Sequence, residues 1–410
     1  MEDYRLGQQN RRREYYGRFS AAEMDRRREA VREMMVSEGL DALVICGDAG
    51  FGGTHISYLT NYSPPFVSYF VFFRDPEANS LLLAGLSNHK QYVREVSEAD
   101  DVDVMLPDPM QSVATRLEAG GVGDGTVGLV GHHPRYKQSL SYEQYDALED
   151  AFAGELVDAT VPFIHVVSRR SEPELERIRR AAALTDKGLE TIADAAEPGV
   201  RETELQDALT RTYLETDGAL GMAFITSAPM NDAEPGEPLP WHKPSKRKLQ
   251  SGDVITTEMS ASFAGYRSQV HRTFTVGTEP SDQYVDMWTV AKETYDAMLD
   301  AVQPGNTVAD VHAALEPLEA SPYKLYDVAL HGYGSGYLPP YVGTSASNYW
   351  PGAEDPVTED WTFEAGMVVV VQPNVVTTEE RHGLQLGSAV IVTDDGPEVL
   401  QQYPLSIQQV

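Results

Sequence analysis

The sequence contains a single cysteine, Cys46, which excludes a disulfide within the chain and any cluster of cysteine metal ligands. Cys46 follows the apolar run Leu43-Val44-Ile45, a pattern that predicts a buried strand. The chain also lacks any run of about eighteen consecutive apolar residues, so no transmembrane helix is predicted. Its opening residues, MEDYRLGQQN, lack the apolar core of an export signal. We therefore expect a cytoplasmic protein.

Basic residues are scarce relative to acidic ones. The chain has 32 Lys and Arg against 63 Asp and Glu, a formal net charge of −31. This charge repels nucleic-acid phosphates and anionic lipid headgroups, so we expect no nucleic-acid partner and no membrane partner. A hydrophobic content of 41% excludes a disordered polyanion. Acidic residues dispersed along the chain, such as Glu149, Asp150 and Glu155, favour a halophilic protein over an ordinary acidic one.

Helix and strand patterns alternate over the first 160 or so residues. Ser20-Ala21-Ala22-Glu23 has the form of a capping box, and it precedes a helical pattern that Gly39 ends. Short apolar runs predict strands at 41–46, 68–73, 81–84 and 126–130. This alternation predicts an α/β N-terminal domain over residues 1–166.

A polar, turn-rich segment near 165–172 predicts a domain boundary, and a long helical pattern follows at 174–196. Two helix-Pro-Gly-helix patterns, at Pro198-Gly199 and Pro304-Gly305, suggest an internal duplication. Further strands are predicted at 253–263, 271–276, 367–371 and 389–393. Together these patterns predict an α+β domain over residues 167–410.

Four blocks of the second domain carry a family resemblance. The blocks are TSAPMNDAEPGEPLPWHKP (226–244), GDVITTEMSASFAGYRSQVHRTFTVG (252–277), HGYGSGYLPP (331–340), and the segment from FEAGMVVVVQPN through LGSAVIVTDDGP (363–397). In order and spacing they resemble the pita-bread (M24) family, which includes aminopeptidases, proline dipeptidases, creatinase and ectoine hydrolase. EGLDALVICGDAG (38–50) and ISYLTNY (56–62) extend the resemblance over nearly the whole chain. It implies a creatinase-like N-terminal domain and a pita-bread catalytic domain.

The resemblance also locates the metal site of the family's peptidases, which hold two divalent cations on two Asp, one His and two Glu. A single carboxylate, Glu258, and a single imidazole, His331, remain at these positions, too little negative charge for two cations. We therefore expect no metal cofactor, although one ion between Glu258 and His331 stays possible. A second histidine of the peptidases corresponds to Leu338, which argues against peptide cleavage. The five ligand positions correspond to Glu258, Gln269, His331, Gln372 and Gly387.

Ionisable residues remain in the blocks and are the catalytic candidates: His242, Glu258, His271 and His331. The resemblance implies that they converge on one cleft, as in creatinase and ectoine hydrolase, which lack the metal set and hydrolyse a C–N bond. An imidazole can take a proton from water and return it to a departing nitrogen, and His242 is the first candidate for this role. The alternative is that His242 is a loop histidine without a role. Glu258 could hold a substrate cation, act as a base or attack as a nucleophile, and the sequence leaves these options open.

Four polar residues are predicted to bind substrate. Gln269 and Gln372 are neutral amides that could hydrogen-bond a substrate amide or each other. Arg267 could bind a substrate carboxylate, and Tyr266 precedes it in the segment GYRSQVHR.

Creatinase-like proteins are dimers in which the first domain of one subunit closes the cleft of the other. The resemblance therefore implies a homodimer, with aromatic residues near Tyr62, Phe66 and Tyr69 brought towards the substrate.

The sequence thus predicts a metal-independent hydrolase that cleaves an amide or amidine-like C–N bond in a small nitrogenous solute. We expect His242→Ala and Glu258→Gln each to abolish turnover. Two alternatives stay open. One is an Xaa-Pro dipeptidase or aminopeptidase with a degenerate metal site; the other is a catalytically inactive pita-bread module that binds a partner.

Overall fold

The structure, a computed structural model, describes residues 17–47, 53–105, 107–131, 140–231, 244–343 and 361–410. The chain divides into two compact units, Met1–Val167 and Ser168–Val410. Among the described residues, no helix combines the length and the apolar character needed to cross a membrane.

The N-terminal unit is built around one mixed sheet. Its strands are β1 (Ala42–Gly47), β2 (Ser68–Phe73), β3 (Leu81–Ala84), β4 (Asp101–Val104), β5 (Thr126–Val130) and β6 (Glu155–Asp158). They lie in the order β4-β3-β2-β1-β5-β6. The helices of this part are α1 (Ala21–Ser37), α2 (Gly53–Thr60), α3 (Lys90–Val96), α4 (Pro109–Ala119), α5 (Tyr142–Ala151) and α6 (Thr160–Ser168), with a 3₁₀ turn at Ser87–His89.

The N-terminal helix and the central strand form where the sequence predicts them. The Ser20 hydroxyl caps α1 by accepting a hydrogen bond from the Glu23 amide at 3.2 Å. All six residues of β1 are buried, because the sheet has neighbours on both sides of this strand. Cys46 is a buried free thiol within β1, which confirms its predicted place in the core.

The second unit contains a larger sheet and a smaller one. Its helices are α7 (Glu172–Ala195), α8 (Glu202–Glu215), α9 (Asp282–Ala301), α10 (Val308–Ala313) and α11 (Glu316–Glu319). The first strands are β7 (Ala219–Pro229), β8 (Asp253–Phe263), β9 (Tyr266–Thr275), β10 (Tyr323–Leu325), β11 (Leu330–Gly332) and β12 (Leu338–Val342). The remaining strands are β13 (Val368–Val371), β14 (Val375–Thr377), β15 (Gly383–Leu384), β16 (Gly387–Thr393), β17 (Gly396–Val399) and β18 (Gln408–Gln409).

The strands of the larger sheet lie in the order β12-β11-β13-β16-β9-β8-β7, with β17 paired to β16 and β18 paired to β9. The smaller sheet has the order β10-β14-β15.

Both predicted helix-Pro-Gly-helix units are present. The helix α7 ends at Ala195 and α8 begins at Glu202, while α9 ends at Ala301 and α10 begins at Val308. The intervening glycines have positive φ angles of 101° at Gly199 and 90° at Gly305, a conformation that favours glycine. With the α/β sheet of the first unit, this arrangement confirms the predicted fold class.

The antiparallel pair β8 and β9 has one apolar and one polar face. Side chains alternate along a strand, so Met259 and Val270 point to one side and pack with Leu189 of α7 and Leu205 of α8 in a buried cluster. The opposite face is polar, which is unusual for strands buried within a sheet. Its residues are Thr256, Glu258 and Ser260 of β8, and Arg267, Gln269, His271 and Thr273 of β9.

Strand β9 begins five residues before the predicted start at residue 271. A two-residue turn, Ala264-Gly265, joins β8 to β9, and both residues have positive φ angles, 47° and 85°. This type of turn pairs the two strands along their full length. Arg267 and Gln269 therefore lie inside the ladder, although polar residues do not indicate a strand in the sequence.

Candidate active site

The polar face of the large sheet brings together all five positions that correspond to metal ligands in the family's peptidases. Glu258 lies on β8 directly opposite His271 on β9, and His271 in turn pairs with Gly387, the first residue of β16. His331 lies on β11, and Gln372 follows the last residue of β13. Adjacent strands thus hold these residues at one level of the sheet. They are Glu258, Gln269, His331, Gln372 and Gly387.

Gln269 connects Glu258 to His271. Its Nε2 donates to Oε1 of Glu258 at 2.8 Å and lies 3.1 Å from Nε2 of His271. An ionised carboxylate can only accept hydrogen bonds, so the amide nitrogen of Gln269 must face Glu258. The other amide atom, Oε1 of Gln269, is buried and has no hydrogen-bond partner among the described residues.

His271 is fully buried, and both of its ring nitrogens have partners. Nδ1 lies 2.6 Å from Oε1 of Gln385, and Nε2 faces the amide of Gln269. Burial lowers the pKa of His271 to about 4, and the positive charge of the neighbouring Arg272 acts in the same direction. His271 is therefore neutral at physiological pH, and its imidazole is held rather than available for proton transfer.

His331 is also fully buried and contacts two oxygen atoms. Its Nε2 lies 3.1 Å from Oε1 of Gln372, and its Nδ1 lies 3.1 Å from the carbonyl oxygen of Gly332. Both oxygens are acceptors, so a neutral ring can donate to only one of them and a protonated ring can donate to both. The ring stacks on Tyr337, with centroids 3.9 Å apart. The ring is therefore held between two oxygen atoms and a stacked aromatic ring.

Gln372 links the two histidines. Its Nε2 donates to the carbonyl oxygen of Val328 at 3.1 Å, which leaves Oε1 to accept from His331. Gln372 also lies near His271, where its side chain raises the pKa of the imidazole against the larger effect of burial. Glu258, Gln269, His271, Gln385, Gln372 and His331 thus form one connected set, here called the polar cluster.

Gly387 shows that the second glutamate of the metal peptidases has no space in this chain. A Cβ atom at this position would lie 2.8 Å from both Cβ of Gln372 and the carbonyl oxygen of Val371. Backbone atoms cannot yield at such distances without movement of the strand, so any side chain at 387 requires a shift of β13.

The donors of the polar cluster do not fit a pair of divalent cations. Among the described residues, no group of three or more His, Cys, Asp and Glu is placed to hold a metal ion. Glu258 is the one carboxylate of the polar cluster, and the amides of Gln269 and Gln372 bind protein groups instead. A dinuclear centre needs bridging carboxylates that these residues do not supply.

The remaining predicted site residues are placed as follows. His242 lies outside the described residues. Arg267 is half-buried on the same face as Gln269, opposite Ser262. Leu338 is buried at the start of β12, opposite Gly332.

The structure places Tyr266 away from the polar face, and its predicted binding of substrate stays a prediction. Strand alternation places Tyr266 on the other face of the sheet from Gln269 and His271, in the last pair before the turn of the β8–β9 hairpin. Its hydroxyl donates to Oε1 of the buried Glu174 at 2.8 Å, which anchors the hairpin to α7. Tyr266 thus makes a structural contact in this fold.

Two of the three aromatic residues expected to approach the substrate are buried within the N-terminal unit. Tyr62 and Tyr69 are 4% and 0% exposed, because their rings belong to the core of the N-terminal unit. Phe66 is 48% exposed, and its ring stacks on His89. Phe66 alone among these three could meet a substrate or a partner without unfolding of the unit.

Sequence analysis missed Gln385, the partner of Nδ1 of His271. The backbone of Gln385 also pairs with the Thr273 side chain, as its N–H lies 2.9 Å from Oγ1 and its carbonyl accepts from Oγ1 at 3.0 Å. The sequence did contain a signal that Gln385 belongs to the site. Residues two apart in an extended segment share a face, and Gln385 lies two residues before Gly387.

Comparison with known proteins agrees with this architecture. The model of metallopeptidase family M24 matches residues 176–394, and the model of the creatinase/prolidase N-terminal domain matches residues 27–166. The chain is 23% identical to creatinase of Bacillus sp. (strain B-0618) over 402 residues, 94% of this chain and 92% of the relative.

Solved structures share the fold. An Xaa-Pro dipeptidase from Bacillus anthracis superposes with a TM-score of 0.76 at 18% identity, covering 94% of this chain and 100% of that chain. The N-terminal domain of FACT complex subunit SPT16 from Cicer arietinum superposes with a TM-score of 0.68 at 16% identity, covering 94% and 97%. The match to the family model extends over more than half of the sequence, and the chain belongs to metallopeptidase family M24.

Proposed function

We propose that this protein hydrolyses a C–N bond in a small nitrogenous solute without a bound metal ion. Its family and its two domain types make it a creatinase/prolidase-like hydrolase of C–N bonds. One observation carries the finer proposal: the five positions of the metal set are occupied by side chains that bind one another, or, at Gly387, by no side chain.

Glu258 and His331 are the proposed reactive groups among the described residues. Glu258 is the carboxylate of the polar face, and it could hold a substrate cation, act as a base or attack as a nucleophile. His331 faces two acceptor oxygens and is suited to supply a proton to the departing nitrogen. His242 stays the first candidate for taking a proton from water, on the strength of the sequence block that contains it.

His271 receives a different proposed role from the one first predicted. Its buried ring, its two occupied nitrogens and its low pKa favour a role in positioning the polar cluster rather than in proton transfer.

Recognition of the substrate is proposed to involve Gln269 and Arg267. Oε1 of Gln269 is a buried acceptor without a protein partner among the described residues, so a substrate N–H group would satisfy it. Arg267 lies on the same face and could bind a carboxylate. A small solute with both an N–H group and a carboxylate would fit this pair of residues. The likeness of the chain to a creatinase agrees with a substrate of this kind. Gln372, whose oxygen faces His331, is proposed to reach the substrate only through that histidine.

Salt adaptation, a cytoplasmic location and a homodimer stay proposals from the sequence. The charge of −31 supports the first, and the likeness to a creatinase over 94% of the chain supports the dimer.

The test is a hydrolysis assay on protein purified with a chelator and then dialysed. We expect the treated protein to release product from creatine, ectoine or a related solute, with no gain on adding Mn²⁺. A glycyl-proline dipeptide serves as the comparison substrate. It tests the alternative function, an Xaa-Pro dipeptidase, because an enzyme of that name has the same fold. Hydrolysis of that dipeptide alone, lost with chelator and restored by Mn²⁺, would replace the proposal with a metal-dependent peptidase.

A further inference from the structure

We infer that Gln269 is a positioning residue of the site: its side-chain amide joins Glu258 to His271 and fixes which ring nitrogen of His271 carries the proton. The counterpart of Gln269 in the metal peptidases of the family is a metal ligand. This role of Gln269 deepens the proposed function and rests on the same polar cluster.

The orientation of the amide follows from the chemistry of its neighbours. Glu258 presents an oxygen 2.8 Å from Nε2 of Gln269, and a carboxylate oxygen only accepts. Turning the amide over would set two acceptor oxygens against each other. In the turned amide, Oε1 of Gln269 could accept a hydrogen bond from His271 only if that ring carried its proton on Nε2. The hydrogen bond from Gln269 to Glu258 would be lost in that arrangement. Gln269 therefore presents its NH₂ group to both neighbours.

This orientation determines the tautomer of His271. The same Nε2 atom of Gln269 lies 3.1 Å from Nε2 of His271, so the ring nitrogen must be the acceptor in this contact. The proton of the neutral ring then sits on Nδ1, which lies 2.6 Å from the acceptor Oε1 of Gln385. One NH₂ group thus sets the direction of the hydrogen bonds from Glu258 to Gln385.

The NH₂ group of Gln269 satisfies two acceptors, the carboxylate of Glu258 and the lone pair on Nε2 of His271, with its two N–H bonds. The amide achieves this without net charge, in a site where His271 is 0% exposed and Gln269 is 2% exposed. We expect the arrangement to persist in the absence of any added ion.

The experiment is NMR of the resting protein labelled with ¹⁵N in its histidine rings. Correlations between ring protons and nitrogens distinguish the two neutral tautomers and the imidazolium, and the signal of His271 among the ten histidines is assigned by its loss in His271→Asn. At neutral pH we expect His271 to carry its proton on Nδ1 with Nε2 bare. A proton on Nε2 in the wild-type protein would overturn the inference.

The variant Gln269→Glu keeps the shape of the side chain and removes its NH₂ group. A carboxylate at 269 would share one proton with the carboxylate of Glu258, because like charges this close do not both ionise. The oxygen facing His271 would then accept, so we expect a proton to appear on Nε2 of His271. An unchanged Nδ1–H signature in a folded Gln269→Glu protein would show that Gln385 alone sets the tautomer, and it would contradict the inference.

Gln91→Glu is the matched control. Gln91 is an exposed glutamine on α3 whose amide donates to the carboxylate of Glu95 at 3.2 Å, as the amide of Gln269 does to Glu258. The same chemical change there should leave the His271 signal as in the wild type. Since the wild-type spectrum needs no turnover, a protein that shows the expected tautomer and hydrolyses nothing would defeat the proposed function and leave this inference standing.

Discussion

Replacing Glu258 by glutamine is expected to lower kcat/KM by a factor of about 1,000 or more, while the protein stays folded. Glutamine has nearly the same shape and still offers an oxygen to the amide of Gln269, which Glu258 contacts at 2.8 Å. It lacks the negative charge and the basicity of the carboxylate. Each role open to Glu258, whether cation holder, base or nucleophile, requires one of these properties.

The measurement is steady-state hydrolysis of the solute identified by the assay above, with thermal unfolding as a check on folding. Glu364→Gln is the matched control, because Glu364 is a half-exposed carboxylate of the same unit whose partner is Arg169, at 3.1 Å. That variant should retain wild-type kcat/KM, as surface ion pairs of this kind contribute little. Full activity in Glu258→Gln would remove Glu258 from the mechanism.

The stability of the protein is expected to fall as the pH drops from about 6.5 to about 4, by about 3 kcal/mol through His271 alone. In the unfolded chain this imidazole titrates at its ordinary pKa of 6.5, whereas burial lowers the pKa in the folded protein to about 4. Between these values the unfolded state binds a proton that the folded state does not. Protonation therefore favours unfolding, and below the folded pKa the loss is complete.

The test compares the free energy of unfolding of the wild type and of His271→Gln at several pH values. Carboxylates titrate in the same range, so the difference between the two proteins isolates the histidine. We expect that difference to change by about 3 kcal/mol across the window. A difference that stays constant with pH would mean that His271 is not buried in its neutral form.

Much of the fold was predictable because apolar runs of strand length indicate buried strands. The strands β2, β3 and β5 have the predicted bounds, and each is a short apolar segment between turn residues. The strand β9 was predicted to start five residues too late, since Arg267, Ser268 and Gln269 do not resemble a buried strand. Polar residues in the interior of a sheet are a sign of a site, and they obscure the strand that carries them.

The late start predicted for β9 also explains why the placement of Tyr266 was not predicted. Had the strand been assigned from residue 266, alternation would have placed Tyr266 on the face opposite Gln269 and His271. The five positions of the metal set were identified from the order and spacing of the sequence blocks. Their hydrogen bonds were not predictable, because Gln385 and Gln372 reach the histidines through pairing between strands distant in sequence.

The central claim, hydrolysis without a metal ion, is tested most directly by elemental analysis of the purified protein after dialysis in high salt without added metal. We predict less than about 0.1 equivalents of any transition metal per chain, because the polar cluster offers one carboxylate and amides that bind protein groups. A content of about two equivalents per chain would contradict the account and restore a dinuclear peptidase site.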